Sequence, residues 1–169
     1  MHHKTASVLA LVVVASVMSG CGYGAPAVAP AYNAIKEPLV TGGFAVGPRT
    51  FKEYKFVVTS AMSKPRLEGT FSASGGSGND IEVSVLDESQ FANWQKRRAF
   101  DATFESGRVT DATLNVTVPE SPATYYLVFS NRFSLFSNKA VTASVQLCYD
   151  LAAASTTSGR RGYDGNKRQ

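Results

Sequence analysis

Apolar residues alternate with polar ones in short runs between residues 39 and 150, and this period of two constrains the fold more than any other feature of the chain. Successive side chains of a β-strand point to opposite faces of the sheet, so such a run has one buried face. The pattern predicts seven or eight short strands. Six of the runs have their apolar positions at Phe44 and Val46; Tyr54, Phe56 and Val58; Leu67, Gly69, Phe71 and Ala73; Ile81, Val83 and Val85; Leu114, Val116 and Val118; and Tyr126 and Val128, and a further alternating run covers residues 141–149.

Turn-forming residues separate these runs. They concentrate at Gly47-Pro48, Ser63 to Pro65, Gly75 to Asp80, Ser106-Gly107 and Pro119 to Pro122. Short strands at this spacing favour two packed antiparallel sheets, and about 110 residues are enough for one core. The prediction is an all-β fold, a single antiparallel β-sandwich with one short helical turn in residues 39–150, preceded by a signal-peptide helix and a flexible linker.

The helical turn is predicted where the alternation stops. Phe91 and Trp94 lie three residues apart behind Asp87, a residue suited to cap a helix N-terminus. Asp87 and Glu88 come before the turn and the basic residues 96–98 follow it, which the helix dipole favours. Two interpretations of Trp94 stay open. It binds a ligand by stacking on a sugar or aromatic ring, or it plugs one open end of the sandwich together with Phe91.

The first 20 residues are typical of a signal peptide. A positive start at Lys4 precedes an apolar stretch, Val8 to Met18, that is too short to span a bilayer. The sequence that follows, Met18-Ser19-Gly20-Cys21, resembles the lipobox of bacterial lipoproteins, with Met in place of the usual Leu. This resemblance implies cleavage before Cys21, acyl chains on its sulfur and anchoring in the bacterial cell envelope. Gly22 implies the periplasmic face of the outer membrane in a Gram-negative host. Ordinary secretion, with cleavage after Ala29, is the alternative.

The segments on either side of the domain have no hydrophobic period. Residues 21–38 contain three prolines among Gly and Ala, so we predict that lipidated Cys21 begins a flexible linker. Residues 151–169 are rich in Ser, Thr, Gly and charge, which predicts a disordered basic tail. The net charge of +4 comes from Lys4 and this tail, because the charges within 39–150 cancel. The neutral domain argues against nucleic-acid binding, whereas the tail suits anionic headgroups or a wall polymer.

Two stretches resemble known β-sandwich modules. A glycine-rich turn leads into Asn79-Asp80-Ile81 and a strand, and residues 125–134 contain Tyr-Tyr-Leu-Val-Phe followed by Ser-Asn-Arg-Phe-Ser. From about Phe44 to Tyr149, this layout is similar to GOLD-type and pre-peptidase C-terminal domains. Neither group carries a fixed catalytic set, so the resemblance implies binding or assembly. Asn131 and Ser134 are also expected to bond backbone groups where strand 124–130 ends.

The side chains of common catalytic mechanisms are missing from the predicted mature chain. Both histidines, His2 and His3, lie in the leader, which removes His-dependent nucleophiles and the usual zinc sites. Cys148 is expected to be a buried apolar side chain without a neighbouring cation, with a reactive thiol as the alternative. Asp80 and Glu82 are interpreted as solvent-exposed carboxylates at the edge of the domain rather than as an acid–base pair.

The glycine-rich loop also bears on metal binding. Asn79 and Asp80 offer oxygen ligands that calcium prefers, but their spacing matches no EF-hand loop. Gly75 to Gly78 are better explained as residues that supply positive φ in a tight connection. We therefore predict no catalytic residue, no metal and no cofactor.

The functional hypothesis is a non-catalytic binding or assembly module of the cell envelope, held at the membrane by lipidated Cys21. Its expected partner is an envelope protein or a polysaccharide, with no nucleic acid. Two alternatives stay open. One is a carbohydrate-binding module that uses Trp94 and the tyrosines, and the other is an accessory subunit of an envelope enzyme that acts through carboxylates such as Asp80 and Glu82. The sequence leaves the ligand and the oligomeric state open.

Overall fold

A computed structural model describes residues 32–152, which form eight strands and one helix. Every strand pair is antiparallel, and the strands make two four-stranded sheets. The predicted all-β sandwich with one short helix is therefore confirmed. In chain order the elements are β1 (Tyr32–Val46), β2 (Phe51–Val58), β3 (Met62–Ser74), β4 (Ile81–Asp87), α1 (Glu88–Gln95), β5 (Phe104–Val109), β6 (Asp111–Thr117), β7 (Ala123–Ser130) and β8 (Lys139–Ala152).

The strand order is that of a jelly roll. The first sheet has the order β1-β8-β3-β6, and the second has the order β2-β7-β4-β5. The first strand pairs with the last, the second with the seventh, the third with the sixth and the fourth with the fifth. The chain is thus one long hairpin wrapped into two sheets, which is an eight-stranded jelly roll.

One main core fills the space between the sheets. The three predicted core residues of β4, Ile81, Val83 and Val85, are fully buried there. The ring of Phe129 has edge-to-face contacts with three other rings, those of Phe44, Tyr54 and Phe71. Such contacts stabilise a pair by about 0.5–1.5 kcal/mol beyond the area that it buries. The alternation in the sequence therefore selected the inward face of most strands correctly.

Strand β7 differs because both of its faces are buried. Tyr126 and Val128 share a face, as predicted, but this is the outer face of the second sheet, where α1 covers it. The residues that point into the main core are Tyr125, Leu127 and Phe129. The sequence of a strand that is buried on both sides is a continuous apolar run. Such a run does not show which face of the strand packs against the other sheet.

Helix α1 confirms the predicted turn and its cap, since the Asp87 carboxylate accepts a hydrogen bond of 2.8 Å from the Gln90 amide. The rings of Phe91 and Trp94 are stacked, with centroids 5.9 Å apart. Phe91 is buried against Val128 on the outer face of the second sheet. The interpretation of Phe91 and Trp94 as an end plug is wrong, because the chain folds back after β4 and lays the helix on the sheet.

The folded domain extends beyond both predicted boundaries. Residues 32–38, predicted as linker, form the first half of β1 and pair with residues 146–152 of β8. The prediction failed because a proline such as Pro38 usually ends a strand. Edge strands and bulges tolerate proline, and β1 is an edge strand whose pairing shifts register between Pro38 and Val40. The signal peptide 1–20, Cys21 and the tail from residue 153 lie outside the described residues.

Two of the predicted turns lie within strands. Ser63 to Pro65 belong to β3, where the pairing with β8 shifts register between Ser63 and Arg66. Ser106 and Gly107 belong to β5, whose pairing with β4 also shifts register. Positive φ occurs at Lys64 and Gly107. A β-bulge uses the same residue types as a turn, so these sequence patterns do not distinguish the two.

The two ends of the sandwich differ in what they carry. Tyr32 and Ala152 pair at one end, which we call the terminal end. Val46 pairs with Lys139 at the other end, which we call the distal end, and the loops 47–50, 75–80 and 131–138 lie there. The 15 residues of β1 separate the two ends by about 45 Å, at a rise of about 3.3 Å per residue. Nowhere between residues 32 and 152 is a helix long and apolar enough to cross a membrane.

Candidate functional site

A groove lies on the outer face of the second sheet, between the end of α1 and strand β5. It consists of two adjoining hollows, of about 380 and 360 Å³, that share Glu82, Trp94, Phe100 and Ser130. Strands β4 and β7 provide its floor, and the chain that follows α1 provides one wall. We call it the Trp94 groove. Its size is in the range of small-molecule and cofactor sites.

Trp94 is held rigidly in one wall of this groove. Its ring meets Phe51 edge-on at 4.8 Å and lies 4.6 Å from the guanidinium of Arg132. Arg132 also donates hydrogen bonds of 3.0 and 3.3 Å to the carbonyl oxygens of Trp94 and Gln95, and so joins the β7–β8 loop to the end of the helix. Trp94 remains half-buried, so part of its ring stays open to the groove.

Phe100 is the second aromatic residue of the groove, and sequence reasoning missed it. It lines both hollows and is 37% exposed. Phe100 is an isolated aromatic residue after the basic residues 96–98, so it belongs to no periodic apolar pattern in the sequence. Its proximity to Trp94 comes from the way the chain after α1 returns towards β5. The two aromatic residues line the same two hollows.

The floor of the groove is polar. Ser84 and Ser130 are buried there, at 6% and 3% exposure, and Glu82 lies beside them. Burial raises the pKa of Glu82, the guanidinium of Arg108 opposes this shift from 3.8 Å, and the carboxylates of Glu105 and Asp80 add to it. Hydroxyl and carboxylate groups here are placed to bond a polar ligand.

The opposite rim of the groove is cationic. Arg97 and Arg98 line it, are exposed and have no ionic partner among residues 32–152. The backbone amide of Arg97 donates to the carbonyl of Trp94 at 3.1 Å and closes the helix with a φ of 56°. A ligand in the groove would contact carboxylates at one end, guanidinium groups at the other and aromatic rings between them.

The two candidate carboxylates, Asp80 and Glu82, each lie 3.8 Å from the guanidinium of Arg108. Asp80 accepts a 2.8 Å hydrogen bond from the ammonium group of Lys139, which is almost fully buried, and also lies 3.8 Å from Arg108. The hydrogen bond from Lys139 is the main cause that lowers the pKa of Asp80. The interpretation of Asp80 as a solvent-exposed carboxylate is therefore wrong, since Asp80 neutralises a buried cation. Sequence reasoning missed Lys139 because charged residues in strands are usually solvated.

The glycine-rich loop has the predicted positive φ at Gly75 and Gly76 but not at Gly78, and Asn79 also has a positive φ, of 50°. Gly75 and Gly76 have φ values of 108° and 67°. The amide side chain of Asn79 accepts a hydrogen bond of 2.9 Å from the backbone of Gly75 and closes the loop. Among residues 32–152, no three His, Cys, Asp or Glu side chains lie close enough together to hold a metal ion.

Cys148 is buried, as predicted, but beneath charged residues on the outer face of the first sheet. Its thiol lies 3.3 Å from the carboxylate of Glu68, which is itself paired with Arg66 at 2.6 Å and Lys36 at 3.6 Å. The expectation that no cation lies nearby is wrong, because the strand register places Lys36 and Arg66 on either side of Cys148. Burial and Glu68 nevertheless raise the pKa of the thiol, against the effect of the two cations.

We expect the Cys148 thiol to be unreactive in the folded protein, because it is 1% exposed and its pKa is raised. In a chain with Cys21→Ser, an aromatic disulfide reagent should label Cys148 in urea but not in buffer. Ser74→Cys, at an exposed position, serves as the reactive control. Rapid labelling of native Cys148 would contradict this expectation.

The remaining predicted site residues do not gather at the groove. None of the described tyrosines lines it. Tyr125 and Tyr149 are buried in the main core, Tyr126 packs beneath α1, and Tyr32 is exposed at the terminal end. Cys21, the predicted lipidation site, lies outside the described residues. The chain matches no known protein-family model, and no curated protein matches it at a significant level.

Proposed function

We propose that this protein is a non-catalytic binding module of the bacterial cell envelope, anchored by acyl chains on Cys21, and that the Trp94 groove binds a saccharide. The observation that supports a saccharide is the pairing of an aromatic wall, Trp94 and Phe100, with the polar floor of Glu82, Ser84 and Ser130. This proposal replaces the tyrosines of the sequence-based alternative with Phe100.

The chemistry of a sugar ring fits both sides of the groove. One face of a pyranose carries C–H groups that pack on an aromatic ring, and its edges carry hydroxyl groups. Hydrogen bonds from such hydroxyls to carboxylates or from guanidinium groups are charge-assisted, and they are about twice as strong as neutral ones. Ordered polar groups in an aromatic site fix the orientation of the ligand. Because Trp94 is already held by Phe51 and Arg132, binding requires little ordering of the wall.

The proposed anchor fits the position of the first strand. Residues 22–31 lie between Cys21 and the start of β1 at Tyr32, and they span at most about 35 Å when extended. The anchor would keep the terminal end within this distance of the membrane, which leaves the orientation of the domain free and the groove in the periplasm or cell wall. An enzyme that acts through Asp80 and Glu82 has less support, because the Asp80 carboxylate is engaged by Lys139.

Trp94 is the only tryptophan of the chain, so its fluorescence reports on the groove directly. We expect a saturable emission change when chitooligosaccharides or solubilised peptidoglycan glycan strands are added to the Cys21→Ser protein. Phe100→Ala should weaken binding by about tenfold, as expected when one large aromatic contact is lost. Phe100 is exposed outside the main core, so this change leaves the fold intact.

Tyr32→Ala is the matched control, because Tyr32 is an exposed aromatic residue at the terminal end. It should bind the same glycans as the parent. Equal affinity of Phe100→Ala and the parent, or an absence of any fluorescence response and of retention on immobilised glycans, would refute the saccharide proposal.

A further inference from the structure

The loop between β7 and β8 presents two adjacent apolar side chains to solvent. Leu135 is 54% exposed and Phe136 is 90% exposed, the highest exposure among the large apolar residues described. We call this pair the apolar tip. Single exposed apolar residues are common, whereas adjacent ones join into a larger apolar surface, and large exposed apolar surfaces mark interaction sites. The tip lies at the distal end.

The tip is held outward by its own loop. Ser134 and Ser137, which flank it, are bonded to each other, since the Ser134 hydroxyl donates to the Ser137 carbonyl at 3.1 Å and lies 3.2 Å from its amide. Fully buried Asn131 donates from its side-chain amide to the carbonyls of Ser137, Gly47 and Val46, at 2.8, 3.1 and 3.2 Å. These bonds fix both sides of the loop, so the exposure of the tip is built into the fold.

The surroundings of the tip are cationic. The backbone amide of Arg49 donates to the carbonyls of Asn131 and Ser134, each at 3.1 Å, so Arg49 lies against the base of the loop. Its side chain is exposed and has no ionic partner among residues 32–152. Asp80, the one carboxylate in the described chain that lines the hollow beside the tip, is engaged by Lys139, and Arg108 lines the same hollow.

We propose that the distal end docks on an anionic lipid surface, with Leu135 and Phe136 inserted among the acyl chains and Arg49 facing the headgroup phosphates. Two apolar side chains at one loop are too few for a stable protein interface, which needs about 20–30 residues on each side. They suit a bilayer, where apolar insertion and attraction of basic residues to anionic headgroups act together. This contact is independent of the Trp94 groove and of lipidation at Cys21.

Vesicle flotation tests the proposal with the full chain carrying Cys21→Ser. The protein should float with phosphatidylcholine vesicles that contain phosphatidylglycerol and less with phosphatidylcholine alone. Leu135→Ser combined with Phe136→Ser should weaken partitioning by about 100-fold, since burial of each large apolar side chain changes an affinity by about tenfold or more. Val57→Ser is the matched control, because Val57 is 49% exposed on β2, away from the loop, and it should partition like the parent.

A second variant reports on the depth of insertion. With Trp94→Phe and Phe136→Trp, the only tryptophan is at the tip, and its emission should shift to the blue and be quenched by brominated acyl chains. Arg49→Glu should weaken binding only when phosphatidylglycerol is present. Equal partitioning of the double serine variant and the parent would overturn the proposal, and so would self-association through the tip without lipid.

Discussion

Gly69→Ala is expected to lower the free energy of unfolding by about 3–5 kcal/mol, because it combines an unfavourable backbone conformation with overlap. Gly69 lies in β3 with a φ of 155° and faces the backbone of β8. A Cβ at this position would overlap the carbonyl oxygen of Ser144 and lie 2.7 Å from the Cα of Val145. Since β8 lies inside the first sheet, it cannot move away without breaking its pairing with β1. Urea unfolding followed by Trp94 fluorescence measures the loss.

Two neighbouring glycines separate the causes of this effect. Gly43→Ala should change stability by less than about 1 kcal/mol, because the nearest atom to its Cβ would be 3.8 Å away. Gly42→Ala should cost about 1 kcal/mol, because Gly42 has a φ of 104° but nothing within 4 Å of the added carbon. If Gly69→Ala unfolds at the same urea concentration as Gly42→Ala, overlap with β8 contributes nothing.

Asp80→Ala is expected to destabilise the protein by about 3 kcal/mol, because it leaves a buried ammonium group without its counter-ion. Lys139 is 2% exposed, and without Asp80 its remaining hydrogen-bond partner is the carbonyl of Gly75. The additional change Lys139→Met should restore most of the lost stability, since no charge is then buried. Glu53→Ala, at an exposed carboxylate, is the control and should change stability by less than about 0.5 kcal/mol. Equal stability of Asp80→Ala and Glu53→Ala would contradict the expectation.

The same pair predicts a pH dependence. Lys139 lowers the pKa of Asp80 below its usual value of 3.8, so the folded state binds this proton more weakly than the unfolded state does. The stabilisation by Asp80 is therefore fully present above pH 3.8 and is lost as the pH falls through the lowered value. Urea unfolding at several pH values measures the free energy of unfolding of the parent and of Asp80→Ala. The difference between the two should be constant near neutral pH and should become smaller in acid.

The fold followed from the sequence wherever a strand has one apolar face. Ile81, Val83 and Val85 were assigned correctly because polar or small residues separate them. Every residue of the run 125–129 is apolar. Which of its two faces points towards the other sheet depends on which face α1 covers, and only the tertiary fold decides this. The first half of β1 was missed because its partner, β8, lies at the other end of the chain.

The candidate site was predicted only in part for the same reason. Trp94 was identified because it is the only tryptophan and belongs to a capped helix. Arg132 joins it from a different loop, and Lys139 reaches Asp80 across 59 positions of sequence, so neither contact has a local pattern. Leu135 and Phe136 would be assigned to a core by their type alone. Their flanking serines are the one local sign of a turn.

The placement of β8 makes the first sheet depend on two distant parts of the chain. β8 fills an interior position of that sheet, between β1 and β3, so β1 has no partner and β3 lacks one of its two partners until β8 is in place. The first sheet therefore closes only when residues far apart in sequence have met. Removal of β8 would leave β1 unpaired and expose the core side of both neighbours, so it would disrupt the whole domain rather than one edge.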